Sequence, residues 1–306
     1  ARTLFCCFRT VIAETPATAA TSFCVTAKPS RSAATSRHAA ANPEGRCPLL
    51  SPRSAARVAM STARTRTWPG TPSSEILENL VNYPDLKAQW CVNEKVSLEV
   101  ASGASWAGGR ALVTMKHVGL NVAADPLFTL AYTGVRGGLV IAVADDPGLH
   151  SSQNEQDSRH YARAAKLPML EPADSREAME MTRLAFDISE QFDIPVLLRL
   201  TTRISHSRTV VIPGNRKEST LSLRAIKDPP KQVMIPAYSS IRHRSLEERI
   251  RKISRYAETC PVNRIEEGDG DKKIITSGIS YQYCREVYPT AAYLKLGMVY
   301  PLPESL

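Results

Sequence analysis

The stretch that decides the fold is Gly137 to Gly148, which reads GGLVIAVADDPG. Six apolar residues follow the paired glycines, and two aspartates and a Pro-Gly turn end the run. A run this continuous, without the alternation of a half-exposed strand, is typical of a parallel strand buried on both faces. The flanking sequence should therefore supply helices that cover both faces.

Segments on both sides continue an alternation of strand and helix. In chain order, the predicted elements are a helix from 72 that ends at 83–84, a short strand at 87–92, a helix at 94–106, a strand at 111–117, a helix at 119–134, a short strand and loop at 167–174, a helix through 191 and a strand at 194–203. Asp174, with Glu177 three residues later, predicts a capping-box start for the last helix. We predict an α/β domain at 67–211 with a mainly parallel sheet and helices on both faces.

Residues 1–66 do not have the pattern of a folded domain. Ala, Arg, Ser, Thr and Pro dominate this stretch, and it has no helical or strand periodicity. Such a composition buries too little apolar surface to offset chain entropy. Two interpretations stay open: a natural disordered leader, or a non-native segment produced by a reading-frame error, in which case the domain lacks its first strand and helix.

The net charge of +9 belongs almost entirely to that N-terminal stretch. Residues 1–66 carry ten Lys and Arg against two Asp and Glu, so the remainder is near neutral. The arginines are scattered singly, unlike the basic clusters of nucleic-acid-binding arms. We therefore predict neither a nucleic-acid partner nor, since no apolar run reaches about 18 residues, a membrane span.

The cysteines are not spaced as metal ligands. None of the seven lies in C-x-x-C spacing, and Cys91, Cys260 and Cys284 are isolated in the body of the chain. We predict no metal site in this chain and free, buried thiols. Such thiols fit a reducing compartment, so the sequence favours a cytoplasmic protein.

The C-terminal third is less regular. Residues 212–268 are rich in Pro and Lys and contain one amphipathic helix, predicted at 245–257, so we interpret them as a linker. Residues 269–306 predict a strand, a helix over 279–287 and a strand at 291–303, the start of a second α/β domain. Gly268-Asp269-Gly270 is interpreted as the turn into that unit.

Several strings carry a family resemblance: WPGTPSSEI from 68, CVNEKVSLEVASGASWAGGRALVTMKHVGLNVAADPLFTLAYTG from 91, ADDPGLHSSQNEQDSRHYARAAKLPMLEP from 144, LLRLTTRISHS from 197 and ETCPVNRIEEGDGDKKIITSGISYQYCREVYP from 258. Over about 67–306 the chain resembles the thiamine-dependent 2-keto-acid:ferredoxin oxidoreductases, and among them the alpha subunits of the indolepyruvate enzymes. The resemblance implies a thiamine pyrimidine-binding fold followed by the start of a transketolase-C-terminal-like domain.

The resemblance also implies cofactors and partners. The complete subunit would bind thiamine diphosphate with magnesium and carry iron–sulfur clusters, and it would act with a beta subunit, ferredoxin, coenzyme A and a 2-keto acid. In that family a diphosphate motif opens with Gly-Asp-Gly and closes with paired asparagines. No asparagine follows Asn263 here, so we expect this chain to bind no cofactor completely and to be inactive alone.

Glu94 occupies the position of the family's catalytic glutamate. A protonated carboxyl there hydrogen-bonds the pyrimidine ring nitrogen and promotes removal of the thiazolium proton. Burial favours the neutral carboxyl and a helix N-terminus favours the ionised one, by about 0.3–1 kcal/mol. We expect burial to dominate in the closed site. Without the resemblance, Glu94 would be interpreted as an ordinary acidic residue in the first turn of a helix.

Other candidates lie at the same predicted edge of the sheet. Gly70 and Thr71 lie in the Pro-Gly-Thr-Pro turn, and Thr71 is both a helix N-cap and a candidate contact for cofactor and substrate. The further substrate candidates are Lys116, His117, Asn121 and Arg203; the alternative for His117, a lone histidine at a strand end, is a structural role. The polar loop 145–157 is interpreted as a site wall or a subunit contact, with a solvated loop as the alternative. The pyruvate enzymes place a carboxylate-binding arginine where this chain has Asp145-Asp146, so that contact does not carry over.

The resemblance implies oxidative decarboxylation of an aryl 2-keto acid to an acyl-CoA. Two alternatives stay open: a relative acting on another 2-keto acid, and a non-catalytic fragment. Nucleic-acid binding through the basic stretch is a third and weaker reading.

Overall fold

A computed structural model describes residues 57–61, 72–83, 86–207, 209–212 and 223–306, with the backbone alone at 57–61 and 72–74. The strands are β1 (Arg57–Ser61), β2 (Leu86–Trp90), β3 (Ala111–Lys116), β4 (Leu139–Asp145), β5 (Met169–Leu170), β6 (Val196–Thr201), β7 (Arg264–Glu266), β8 (Lys273–Ser277), β9 (Ala292–Leu296) and β10 (Met298–Tyr300). The helices are α1 (Pro72–Leu80), α2 (Glu94–Trp106), α3 (His117–Val122), α4 (Ala124–Thr133), α5 (Arg159–Ala165), α6 (Ser175–Phe192), α7 (Thr202–His206), α8 (Pro229–Gln232), α9 (Pro236–Ala257) and α10 (Gly278–Val287).

Seven strands form the main sheet in the order β10-β5-β6-β4-β3-β1-β2. All neighbours are parallel except β10, which pairs antiparallel with β5. Every residue of β4 and β6 is buried, and so is β3 up to its last residue. The apolar runs therefore form central strands covered on both faces, which confirms the predicted α/β fold with a mainly parallel sheet.

Helices pack against the sheet at the positions that the sequence pattern predicts. Helix α2 packs against β1 and β3, and α6 packs against β4 and β6. Asp174 caps α6 by accepting a hydrogen bond from the Glu177 amide at 2.8 Å, while the Glu177 carboxylate accepts one from the Ala173 amide. The predicted capping box is thus formed, with its return bond one residue earlier than the usual pattern.

Strand β1 lies inside residues 1–66, the stretch that we interpreted as a disordered leader or a non-native segment. Its backbone pairs with β2 on one side and β3 on the other, so the sheet extends further toward the N-terminus than the predicted boundary at 67. The remaining residues of 1–66 lie outside the described part of the chain, and their interpretation stays a prediction.

The segment predicted to be a linker contains a longer helix than expected. Helix α9 begins at Pro236, nine residues before the predicted start at 245, and packs against α4 and α6. Its buried Arg249 donates hydrogen bonds to the carbonyls of Ala131 and Tyr132 at the end of α4. This part of the segment therefore docks on the main domain.

The C-terminal unit is a three-stranded sheet in the order β7-β9-β8, with β7 antiparallel and β8 parallel to β9. The predicted strand at 291–303 is two strands, because the chain leaves this sheet after β9 and β10 joins the edge of the main sheet. Asn263 fixes the crossing: its side-chain oxygen accepts hydrogen bonds from the Gly297 and Met298 amides, both at 2.9 Å.

Two further expectations concern cysteines and membranes. Cys91 and Cys260 are free and buried as predicted, while Cys284 is half-buried. Within the described residues, no helix combines the length and apolar character that a membrane crossing needs.

Candidate functional site

The carboxyl ends of β2, β3, β4 and β6 meet at one edge of the main sheet, because these strands are parallel. Ligands of open α/β sheets bind outside this edge. Glu94 follows β2, Lys116 and His117 end β3 and begin α3, and Asp145 ends β4. The structure thus brings three predicted site residues, and the aspartate that begins the polar loop, to one edge of the sheet.

Glu94 is the first residue of α2. Asn93 caps this helix by accepting a hydrogen bond from the Val96 amide at 2.9 Å, and its extended backbone turns the chain from β2 into the helix. The Glu94 side chain is half-buried, less than we predicted. It lies at the open edge of the sheet, where the described residues do not cover it completely.

The ion pairs and packing around Glu94 distinguish it from the other carboxyls of the described residues. No ion pair joins Glu94 to any residue in the described ranges, and the adjacent Lys95 pairs with Asp125 at 2.7 Å. The Glu94 side chain lies against Gly119, the third residue of α3.

His117 is buried between two backbone carbonyls. Its Nδ1 lies 3.3 Å from the oxygen of Ala144 and its Nε2 lies 3.1 Å from the oxygen of Asn154. Each ring nitrogen therefore faces a carbonyl oxygen, and a neutral imidazole donates to one of the two. The ring joins the end of β4 to the loop that follows. The predicted contact with a substrate would require the ring to turn away from one of these oxygens.

The remaining predicted residues are more exposed or not described. Lys116 is half-buried, Arg203 is exposed on α7, and Asn121 is exposed with its side-chain oxygen 2.7 Å from the Tyr161 hydroxyl. Gly70 and Thr71 lie outside the described residues, although α1 begins at Pro72 as the predicted N-cap at Thr71 requires.

Arg199 organises the polar end of β4, and our sequence analysis did not assign it that role. It is buried, and its guanidinium donates to Asp145 at 2.6 Å and to Glu171 at 2.7 Å. Asp145 also accepts hydrogen bonds from the amide and hydroxyl of Ser158. The sequence held one signal for this role: Arg199 is a single charged residue within the apolar run LLRLT, and a buried charge requires a partner.

Two further aspartates tie the loop 146–157 to this centre. Burial raises the pKa of Asp146, but hydrogen bonds from Thr202 at 2.6 Å and from the Ser151 amide at 2.8 Å outweigh it and lower the pKa to about 2. Burial likewise raises the pKa of Asp157, but hydrogen bonds from Arg159 and the charge of Arg199 lower it to about 2. The loop that we interpreted as a site wall is thus anchored at both ends.

Neither a metal cluster nor a diphosphate motif is present at this edge in the described residues. In those ranges no group of three or more His, Cys, Asp or Glu side chains is arranged to hold a metal ion. Gly268-Asp269-Gly270 precedes β8 in the smaller sheet, and the Gly270 amide donates to the Thr290 carbonyl at 2.8 Å, which joins this bend to the segment before β9. In the described residues, a place for thiamine diphosphate therefore rests on Glu94, which would meet the pyrimidine end of the cofactor.

Comparison with known proteins gives one consistent family. The family model of the thiamine diphosphate-binding domain of pyruvate flavodoxin/ferredoxin oxidoreductases matches residues 55–252, so the match begins just before β1. The chain is 47% identical over 251 residues to the indolepyruvate oxidoreductase subunit IorA of Archaeoglobus fulgidus, and 45% identical over 249 residues to that of Methanothermobacter marburgensis. Each match covers 78% of this chain and 40% of the relative, so the chain spans less than half the length of these relatives.

A solved structure has a similar fold. The 2-oxoglutarate:ferredoxin oxidoreductase from Magnetococcus marinus, with 2-oxoglutarate, coenzyme A and succinyl-CoA bound, aligns with a TM-score of 0.58 over 81% of this chain and 52% of that chain. The sequence identity is 16%, so this likeness concerns the fold.

Proposed function

The chain belongs to the thiamine diphosphate-binding family of the pyruvate flavodoxin/ferredoxin oxidoreductases, and from this membership we propose that it is part of the catalytic subunit of an indolepyruvate-type 2-keto-acid:ferredoxin oxidoreductase. The complete enzyme would convert an aryl 2-keto acid and coenzyme A to an acyl-CoA and carbon dioxide. The electron pair released would pass to ferredoxin and a proton to the solvent. The relatives named as indolepyruvate oxidoreductase subunits support this substrate class.

One observation carries the proposal: a glutamate with no cation partner in the described residues begins the helix that follows β2, at the carboxyl edge of a parallel sheet. In our proposal, thiamine diphosphate supplies the nucleophilic carbon and accepts the electrons that decarboxylation leaves behind. Glu94 holds a proton on its carboxyl, donates it in a hydrogen bond to the pyrimidine ring nitrogen, and thereby orients the ring.

The neighbouring residues would serve the substrate side. We propose that Thr71 and Gly70 contact cofactor and substrate, and that Lys116, Asn121 and Arg203 border the substrate. His117 would join them only after its bond to Asn154 opens. The anchored loop 146–157 would form a wall of the site and exclude water from it.

Other parts of the enzyme would complete the site. We propose that the iron–sulfur clusters and the magnesium diphosphate site belong to the part of the relatives that this chain does not match, and that a separate partner subunit completes the enzyme. For that reason we expect the chain alone to be inactive, and the test below uses the full-length subunit with its partner subunit.

Replacing Glu94 with glutamine tests the proposal. The amide keeps the shape of the side chain but does not shuttle the proton, so we expect turnover to fall by about 10²-fold or more, with slower thiamine C2–H exchange. Glu99→Gln is the matched control, because Glu99 is an exposed residue of the same helix. Turnover and exchange are measured with indolepyruvate and with pyruvate.

The outcomes separate the alternatives. A Glu94→Gln enzyme with unchanged turnover and exchange would show that Glu94 is an ordinary helix-start acid. A wild-type enzyme that prefers pyruvate would keep the family chemistry but reject the aryl substrate. A complete enzyme that neither binds thiamine diphosphate nor turns over a 2-keto acid would favour the non-catalytic reading.

A further inference from the structure

Gly119 lies directly against the Glu94 side chain. A Cβ atom built on Gly119 would lie 2.6 Å from Cγ of Glu94, 2.7 Å from Oε1 and 2.9 Å from Cδ. Contacts under 3.0 Å essentially do not occur for real Cβ atoms, and ordinary contact begins at 3.4 Å. The three nearest atoms all belong to the proposed catalytic side chain, so any residue larger than glycine at 119 must displace that side chain.

The backbone of Gly119 does not itself require glycine. The residue lies inside the short helix α3, and it is not among the glycines whose φ is positive. Alanine is a better helix former than glycine by about 0.8–1 kcal/mol in a helix interior. Conformational freedom therefore does not explain a glycine here, and the space occupied by Glu94 does.

We propose that Gly119 is a positioning residue for Glu94: its missing side chain lets α3 approach α2 and fixes where the Glu94 carboxyl lies. This inference rests on the proposed function of Glu94. A methyl group at 119 would move Cγ by about 0.8 Å, the difference between 2.6 and 3.4 Å, and the carboxyl beyond it by a similar distance. A displacement of about 1 Å in a catalytic group lowers rates by about 10²-fold.

The test compares Gly119→Ala with Gly103→Ala in the complete enzyme. Gly103 lies in α2, nine residues after Glu94, and a Cβ there would meet nothing within 4 Å, so its substitution should leave turnover unchanged. For Gly119→Ala we expect kcat to fall by about 10²-fold with thiamine C2–H exchange slowed in parallel. The KM for the keto acid should change little, because Glu94 binds the cofactor and not the substrate.

A second background tests whether Glu94 is the residue that the new methyl group meets. In Glu94→Ala the Cγ, Cδ and Oε1 atoms are absent. Adding Gly119→Ala should therefore change the thermal midpoint by less than about 2 °C and the thiamine diphosphate Kd by less than about twofold. If the Gly119→Ala single variant does not fold but the double variant does, the contact is supported. If both fail to fold, Gly119 serves another neighbour and the inference is wrong.

The remaining outcomes are equally decisive. Unchanged exchange in Gly119→Ala would overturn the positioning role, and so would an equal loss of cofactor affinity in the Glu94→Ala background, because the methyl group would then act on the cofactor directly. Unchanged turnover and exchange in the Glu94→Ala single variant would instead reject the proposed function of Glu94. The two failures are therefore distinguishable.

Discussion

Replacing Arg199 with methionine should destabilise the domain strongly, because it removes the cation that lies between two buried carboxylates. The guanidinium contacts Asp145 at 2.6 Å and Glu171 at 2.7 Å. The exposed fractions of the three side chains are 5%, 0% and 6%. Methionine keeps most of the apolar volume of arginine, so the change tests the charge more than the packing.

The expected magnitude follows from this burial. Breaking a buried ion pair by removing one partner destabilises a protein by about 3–5 kcal/mol, since the other charge is left without a partner. One cation serves two carboxylates here, so we expect about 5 kcal/mol. For a domain of this size each kcal/mol shifts the thermal midpoint by about 2–4 °C, which predicts a shift of about 10–20 °C.

Thermal and urea unfolding of paired variants measure this effect. Arg176→Met is the matched control: Arg176 pairs with Glu180 at 2.9 Å, but the two side chains are 70% and 48% exposed. An exposed pair of this kind contributes about 0.3–0.5 kcal/mol, or roughly 1–2 °C. A triple variant, Arg199→Met with Asp145→Asn and Glu171→Gln, removes the opposing charges and should recover much of the loss. Equal midpoints for Arg199→Met and Arg176→Met would refute the reasoning.

Two further predictions concern charged groups elsewhere. Burial raises the pKa of Asp146, but its hydrogen bonds from Thr202 and Ser151 outweigh burial and lower the pKa to about 2, so its stabilising contribution is present above about pH 4 and lost as the pH falls toward 2. Pepsin cleavage near the exposed Leu149 should rise over that range, and Asp146→Asn should weaken this pH dependence and leave the part that Asp157 contributes. Lys295 contacts the Glu177 carboxylate at 2.5 Å, and Arg264 contacts it at 3.2 Å. Lys295→Met leaves Glu177 with Arg264 alone of these two cations and should lower the free energy of unfolding, measured in urea, by about 3 kcal/mol. Adding Glu177→Gln to the same chain should restore part of this loss.

Local sequence signals predicted the elements whose pattern is self-contained. The apolar runs at 111–117 and 194–203 became β3 and β6, and the Asn93 cap placed the start of α2 at Glu94. Strand β1 was not predicted because RVAMS lies in a stretch without periodicity, and its position depends on pairing with β2 and β3. Local propensity does not contain that information.

Other differences have the same origin. The Pro236 at the first position of α9 was a usable start signal, but the Pro- and Lys-rich sequence before it favoured a linker. Strand β10 follows β9 after a single glycine, and its transfer to the other sheet depends on Asn263 and on the free edge of β5. The partners of Arg199 lie 54 and 28 residues earlier in the chain, so the sequence indicated the need for a partner but not its identity.

The charges at the carboxyl edge of the sheet support one further argument about Glu94. Of the buried or half-buried carboxyls that the structure describes there, Asp145 and Glu171 contact Arg199, and Asp157 contacts Arg159. Asp146, without a cation, accepts hydrogen bonds that lower its pKa to about 2. The pKa of Asp157 is likewise lowered to about 2, so Asp146 and Asp157 are poor proton donors near neutral pH. The carboxyls of Asp145 and Glu171 are occupied by the Arg199 guanidinium. Glu94 differs from these four groups because its side chain lies against a glycine, where they have cations or hydrogen-bond donors. This difference supports our proposal that Glu94 is the carboxyl that donates a proton at this edge.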